Sequence, residues 1–237
     1  MKSSQWHIIE NQVSKFRQSI GVSDTEAVNL KSLLLKYNVL TIYRPLSESF
    51  CGTSLRSDDK RFMLINSNNP IGRQHFTIAH ELYHLFIEKN PQPHICWLKG
   101  KKDISEINAD MFAQIFLMPS VGVKQLIPDD ELLQGCVSVA TVLKIEHYFS
   151  VSHKAAVNRL SDLKLLSNEQ REYLSNLPIK KTAREFGYNT SLYNSGNEGL
   201  VIGDFGEKAK NLYDAEKISA GHYFELMNKI GIDDTED

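Results

Sequence analysis

Residues 76–84 read Phe76-Thr77-Ile78-Ala79-His80-Glu81-Leu82-Tyr83-His84. Apolar side chains recur through this stretch and on into Leu85 and Phe86. That pattern predicts a helix buried on most of its sides. Two histidines four residues apart stand one turn apart on one helical face, where both imidazoles can reach a single ion. Buried histidines need polar partners. Backbone carbonyls would suffice, but the residue between them argues for more. Glu81 sits beside the first histidine, where it can hold a proton from a metal-bound water.

The neighbouring text supplies the rest of the set. Asn69-Pro70 reads as an N-cap followed by proline at the first helical position, opening a helix that runs to about Lys89. It should stop before Asn90-Pro91. Residues 90–102 read as a loop. Asp103-x-x-Glu106 resembles a capping box and starts a helix to about Met118, ended by Pro119. Catalytic zinc takes three protein ligands and keeps a fourth position open. Glu106, near the start of this second helix, is the candidate third ligand beside His80 and His84. Asp110, one turn on, can accept a hydrogen bond from a ligand imidazole, which fixes its tautomer and raises its basicity.

Upstream, residues 3–19 read as a helix with Trp6, Ile9, Val13, Phe16 and Ile20 on one face. The Ser23-x-x-Glu26 capping box predicts a second helix to about Tyr37. Val39–Tyr43, Ser49–Arg56 and Arg61–Asn66 look like strands of a small antiparallel sheet. Downstream, helices are predicted at 138–149, 152–165, 167–176 and 179–186. A polar loop or linker follows at Gly187–Gly199, then short helices at about 205–214 and 219–230.

At Arg73–Pro119 the sequence resembles the ImmA/IrrE family of metallopeptidases. The residues that carry the resemblance are Phe76–His84, then Glu106-Ile107-Asn108-Ala109-Asp110-Met111-Phe112-Ala113, then Leu117-Met118-Pro119. The ligand pattern also looks like that of gluzincins, whose third ligand is the Glu of E-x-x-x-D. Where the family commonly has Gly before the second His, this chain has Tyr83, a difference of packing rather than of ligands. The resemblance implies an α+β, predominantly helical fold: a zincin-like catalytic domain at 1–120, a helical, helix-turn-helix-like region at 121–187, and a helical appendage at 188–237. It implies a zinc-dependent endopeptidase acting on an intracellular regulatory protein, with a helix-turn-helix transcriptional repressor as the expected substrate.

In that reading Zn2+ is held by His80, His84 and Glu106, and Glu81 is the base. Donors for a developing oxyanion are His75, Tyr83, His94, His147 and Tyr148 by type, and the sequence does not choose among them. A substrate strand is expected along Arg61–Asn66, taken as an edge. Cys96 lies between the ligand helices, either as a thiolate able to block the metal or, more simply, as a buried idle thiol.

Two other readings stay open. One is a non-catalytic regulator binding DNA or protein around a structural metal, although such a site needs no Glu81. The other is a toxin or defence peptidase. Residues 138–165 loosely resemble a helix-turn-helix, with Ser150 where the turn Gly usually stands, and Lys144, His147, His153, Lys154 and Arg159 make the region mildly basic. The net charge of −2 disfavours DNA as the main partner. Three cysteines without CxxC spacing fit a reducing cytoplasm. No apolar run marks a signal peptide or a membrane span.

Overall fold

A computed structural model describes residues 2–89, 96–97 and 103–231. Its order begins α1 (Lys2–Ile20), α2 (Leu30–Lys36), β1 (Val39–Arg44), β2 (Phe50–Ser57), β3 (Lys60–Asn66) and α3 (Ile71–Leu82). The two-residue strand β4 (Cys96–Trp97) and α4 (Ile104–Leu117) follow. Then come α5 (Ser120–Leu126), α6 (Asp129–Gln134), α7 (Val139–Phe149), α8 (His153–Asp162), α9 (Asn168–Ser175) and α10 (Ile179–Glu185). The chain closes with β5 (Val201–Ile202), α11 (Phe205–Asp214) and α12 (Ala220–Lys229). The architecture is α+β and mainly helical, as expected of a zincin-like domain.

The sheet is mixed rather than antiparallel, with strand order β4-β2-β3-β1-β5. The β1 strand runs parallel to β3, Val39 opposite Arg61 through Arg44 opposite Asn66, while β2 pairs antiparallel with β3. Alternation in a sequence fixes which face a residue takes, not which strand lies next to it. Here β3 inserts between the two strands that precede it. The turn between them is held by Asn66, which is fully buried. Its amide donates to Ser47 O and Phe50 O, each at 2.8 Å, and its oxygen accepts from Leu46 N and Asn68 N.

Helix α1 buries Ile9, Val13, Phe16 and Ile20, the spacing of one helical face. The Phe16 ring meets those of Phe86, Phe112 and Phe116 at centroid separations of 5.5–5.9 Å, joining α1 to α4 and to the end of the α3 run. At the other end of α4 the last carbonyls need donors. Two buried guanidiniums supply them. Arg17 donates to Phe116 O, and Arg159 Nε donates to Met118 O at 2.8 Å. Positive charge there also opposes the negative end of the helix dipole.

Helix α2 begins later than its sequence predicts. The Ser23–Glu26 contact forms, Ser23 N to Glu26 Oε2 at 2.9 Å, but only as a turn. Arg17 takes Ser23 O and Glu26 O as acceptors, and Asn29 caps the helix instead. Helices α5 and α6, unforeseen, each follow a proline, Pro119 and Pro128.

The start of α3 is braced from far along the chain. Pro70, not Asn69, is its cap residue, and no side chain caps it. Ile71 N donates instead to Asn194 O at 2.8 Å. Buried Gln74 donates to Asn69 O and Gly196 O, at 2.8 and 2.9 Å, and accepts from Asn197 Nδ2. The stretch read as a loop or linker at 187–199 is thus packed against the body of the protein, with Leu192 and Tyr193 buried. Just beyond it, β5 pairs with β1.

Candidate metal centre

Helix α3 carries His80 and Glu81, both fully buried. At Tyr83 the helix widens into a π turn, Tyr83–Ile87, closed by Glu88 N to Tyr83 O at 2.9 Å. Such bulges re-aim side chains and recur at functional sites. His84 sits within this turn. Its Nε2 lies 3.3 Å from His80 Nε2. Glu106, from the first turn of α4, completes the group: Oε2 is 3.3 Å from His80 Nε2 and Oε1 is 3.4 Å from His84 Nε2. One donor atom from each of the three residues lies within 4.8 Å of the others. The three side chains singled out as ligands therefore converge.

The far nitrogens of both rings face carboxylates. His80 Nδ1 lies 3.0 Å from Asp110 Oδ1, the partner expected from the sequence. His84 Nδ1 lies 2.8 Å from Glu88 Oε2, a partner that sequence reading missed. Glu88 stands four residues after His84, so the helical spacing that linked His80 to His84 could have found it. Ser105 Oγ donates to the other Glu88 oxygen. With each Nδ1–H pointed at a carboxylate, the two Nε2 lone pairs are turned towards each other and Glu106.

That is the tautomer a metal needs. Two ring nitrogens 3.3 Å apart beside a carboxylate make a cluster suited to a cation. Burial would lower the His80 pKa, but hydrogen bonds to Asp110 and Glu106 and the nearby Glu81 outweigh it and raise the value to about 9. Burial would raise that of Glu106, and the two imidazoles overcome this and hold it well below the carboxylate range. The donor set fits a divalent ion of the zinc class.

Glu81 is anchored from the sheet. Ser54 Oγ, on β2, donates to Glu81 Oε2 at 2.7 Å. No local spacing could have revealed this contact, which depends on how β2 crosses α3. The crossing is close. A Cβ added at Gly52 would stand 2.6 Å from Thr77 Cγ2 on α3.

The expected substrate edge is corrected. Arg61–Asn66 is β3, an interior strand flanked by β1 and β2, so it has no free edge to extend. On the site side the edge strand is β4, which pairs antiparallel with β2, Gly52 opposite Cys96.

Among the oxyanion candidates, His75 Nδ1 lies 2.8 Å from Ser150 O, and Tyr148 donates to Thr25 O. His147 stacks on Tyr188, 4.4 Å between centroids, and lies 3.2 Å from Tyr193 OH. Tyr83 packs edge-on against His84. His94 lies outside the described residues.

Family comparison falls on the same region. The family model Peptidase M78, described as the IrrE N-terminal-like domain, matches residues 36–161, more than half of the chain. The chain belongs to this family. The M78 match runs from the end of α2 to the end of α8 and includes every residue of the cluster, and membership supports a metallopeptidase role. No curated protein matches the chain. No helix among the described residues is long and apolar enough to cross a membrane.

The M78 match also covers the helix-turn-helix-like pair. Ser150 does adopt the left-handed conformation, φ 54°, that a turn glycine usually provides, and Ser152 caps α8. The basic side chains there are mostly engaged inside the protein. Arg159 is buried against α4, His153 lies 2.6 Å from Glu146 Oε1 and 2.7 Å from Leu174 O, and Lys144 reaches Leu126 O. Lys154 is exposed. These contacts pack the helical pair against the rest of the protein.

Proposed function

We propose that the chain is a zinc-dependent endopeptidase in which His80, His84 and Glu106 hold the ion and Glu81 is the general base. The observation that carries this reading is the approach of the two Nε2 atoms and the Glu106 carboxylate to within 3.3–3.4 Å of one another. A bound divalent ion polarises the scissile carbonyl and acidifies water. The protein's own groups do the rest. Glu81 takes the proton released as water attacks and passes it to the leaving amine. Ser54 holds one Glu81 oxygen, which leaves the carboxylate in a fixed orientation for that transfer. Asp110 and Glu88 keep the imidazole lone pairs directed inward.

The proposed substrate is an intracellular regulatory protein, a helix-turn-helix transcriptional repressor. This rests on the family resemblance, and a cytoplasmic setting rests on the three unpaired cysteines. The test is cleavage of a repressor encoded beside this protein, with and without chelator. Glu81→Gln should retain metal and lose cleavage, whereas His80→Ala should lose both. Normal cleavage by the Glu81 variant would sink the mechanism.

A further inference from the structure

Cys96 plays no part in the chemistry proposed above, yet it stands beside it. Strand β4 lies on the outer edge of β2 and pairs Cys96 with Gly52, two residues from the Ser54 that holds Glu81. Because β2 crosses α3 at Gly52 with no room for a side chain, β4 is brought close to the histidine-bearing helix. Cys96 is buried, only 7% exposed. Its Sγ forms a second potential ligand group with His80 and Glu81, one donor atom from each lying within 4.8 Å of the others. The two groups share His80. A sulfur thus reaches the neighbourhood of the base and of one proposed ligand.

We propose that Cys96 is a built-in inhibitor of the metal centre, its thiolate filling the coordination position that His80, His84 and Glu106 leave open. The inference rests on the metal-site reading above and adds a regulatory state to it. Catalytic zinc keeps that position open, whereas four protein donors make a closed site. Thiolate is a strong zinc ligand and competes well with water. With a divalent ion held by His80, His84 and Glu106, a Cys96 thiolate would replace water as the fourth donor, and the displaced water would leave to solvent. The thiol proton passes to the Glu81 carboxylate beside it or to solvent. A base that has taken this proton has no water to activate. Cys51, next to Gly52, is the other thiol within hydrogen-bond reach of Cys96 and accepts from it, so it needs its own control.

Cobalt(II) substitution of the full chain separates the two readings. Visible ligand-field bands report that the ion is bound, whatever the fourth donor is. A near-ultraviolet thiolate-to-cobalt charge-transfer band reports sulfur ligation. The expected result is both signals in the native chain, with loss of the charge-transfer band alone in Cys96→Ser and its retention in Cys51→Ser and Cys136→Ser. Cys96→Ser should also cleave substrate faster than the native chain. Ligand-field bands without charge transfer, or charge transfer that survives Cys96→Ser, would overturn the proposal and leave the metal site standing. Absence of both signals would overturn the metal site itself. Cys96→Ala and a circular dichroism spectrum guard against a folding failure in the serine variant.

Discussion

Ser54 Oγ and Glu81 Oε2 are joined by a 2.7 Å hydrogen bond that ties the base to the sheet. A hydrogen bond to a charged group contributes about 1.5–3 kcal/mol. If that bond orients Glu81 for proton transfer, Ser54→Ala should lower kcat by about tenfold or more. Metal content should stay unchanged, as measured by elemental analysis. An unaltered kcat would mean that Glu81 is positioned without Ser54.

Glu88 and Asp110 should matter to the metal rather than to the proton. Partners that orient ligand histidines typically control metal affinity by about 10–100-fold. Glu88→Gln and Asp110→Asn are each expected to weaken zinc binding by that order in competition with a chromophoric chelator. Equal affinity in the Glu88 variant would show that the π turn alone orients His84.

Gly72, in the first turn of α3, touches the backbone between α7 and α8. A Cβ there would stand 2.7 Å from Ser152 N and 2.9 Å from Val151 C, and backbone atoms yield poorly. Gly72→Ala should destabilise the protein by about 1–3 kcal/mol in urea denaturation. Gly221, with nothing within 4 Å of its Cβ position, is the control, and Gly221→Ala should cost nothing comparable.

His153 makes a pH-dependent contribution. Both ring nitrogens face acceptors, Glu146 Oε1 and Leu174 O, which favours the imidazolium. Burial lowers its pKa, but the hydrogen bond and charge of Glu146 prevail and raise it above 6.5. A raised folded pKa contributes stability that is complete below the unfolded value and is lost as pH rises through the folded one. The stability gap between the native chain and His153→Gln should therefore be widest below about pH 6 and shrink upward. Glu146 is fully buried and also accepts from Tyr193 at 2.8 Å. Removing it in Glu146→Ala leaves the Tyr193 hydroxyl and His153 Nδ1 without their acceptor and should cost about 1–3 kcal/mol.

What the sequence disclosed follows from distance along the chain. His80, Glu81 and His84 share one helix turn, and Glu106 and Asp110 another, so helical spacing revealed both halves. Glu88 obeys the same spacing, but its residue type suits a helix end as well as a hydrogen-bond partner. Ser54 reaches the site only through strand order, which alternation does not encode; Cys96 stood out between the ligand helices, but its pairing with Gly52 did not. The same blindness made β3 look like an edge. Capping motifs proved weaker than tertiary demand: Ser23 and Glu26 made their local contact, but Arg17 claimed the carbonyls that a helix would have used.

The brace on α3 has a bearing on timing. Asn194, Gly196 and Asn197 hold the first turns of the helix that carries both histidines, and β5 closes the sheet beside β1. All of them are translated after the last cluster residue, Asp110. A nascent chain that has emerged only as far as α8 already holds every proposed ligand but lacks the pieces that fasten the helix in place. Fastening of the histidine-bearing helix therefore waits for residues 194–202, which come later in the chain than every proposed ligand.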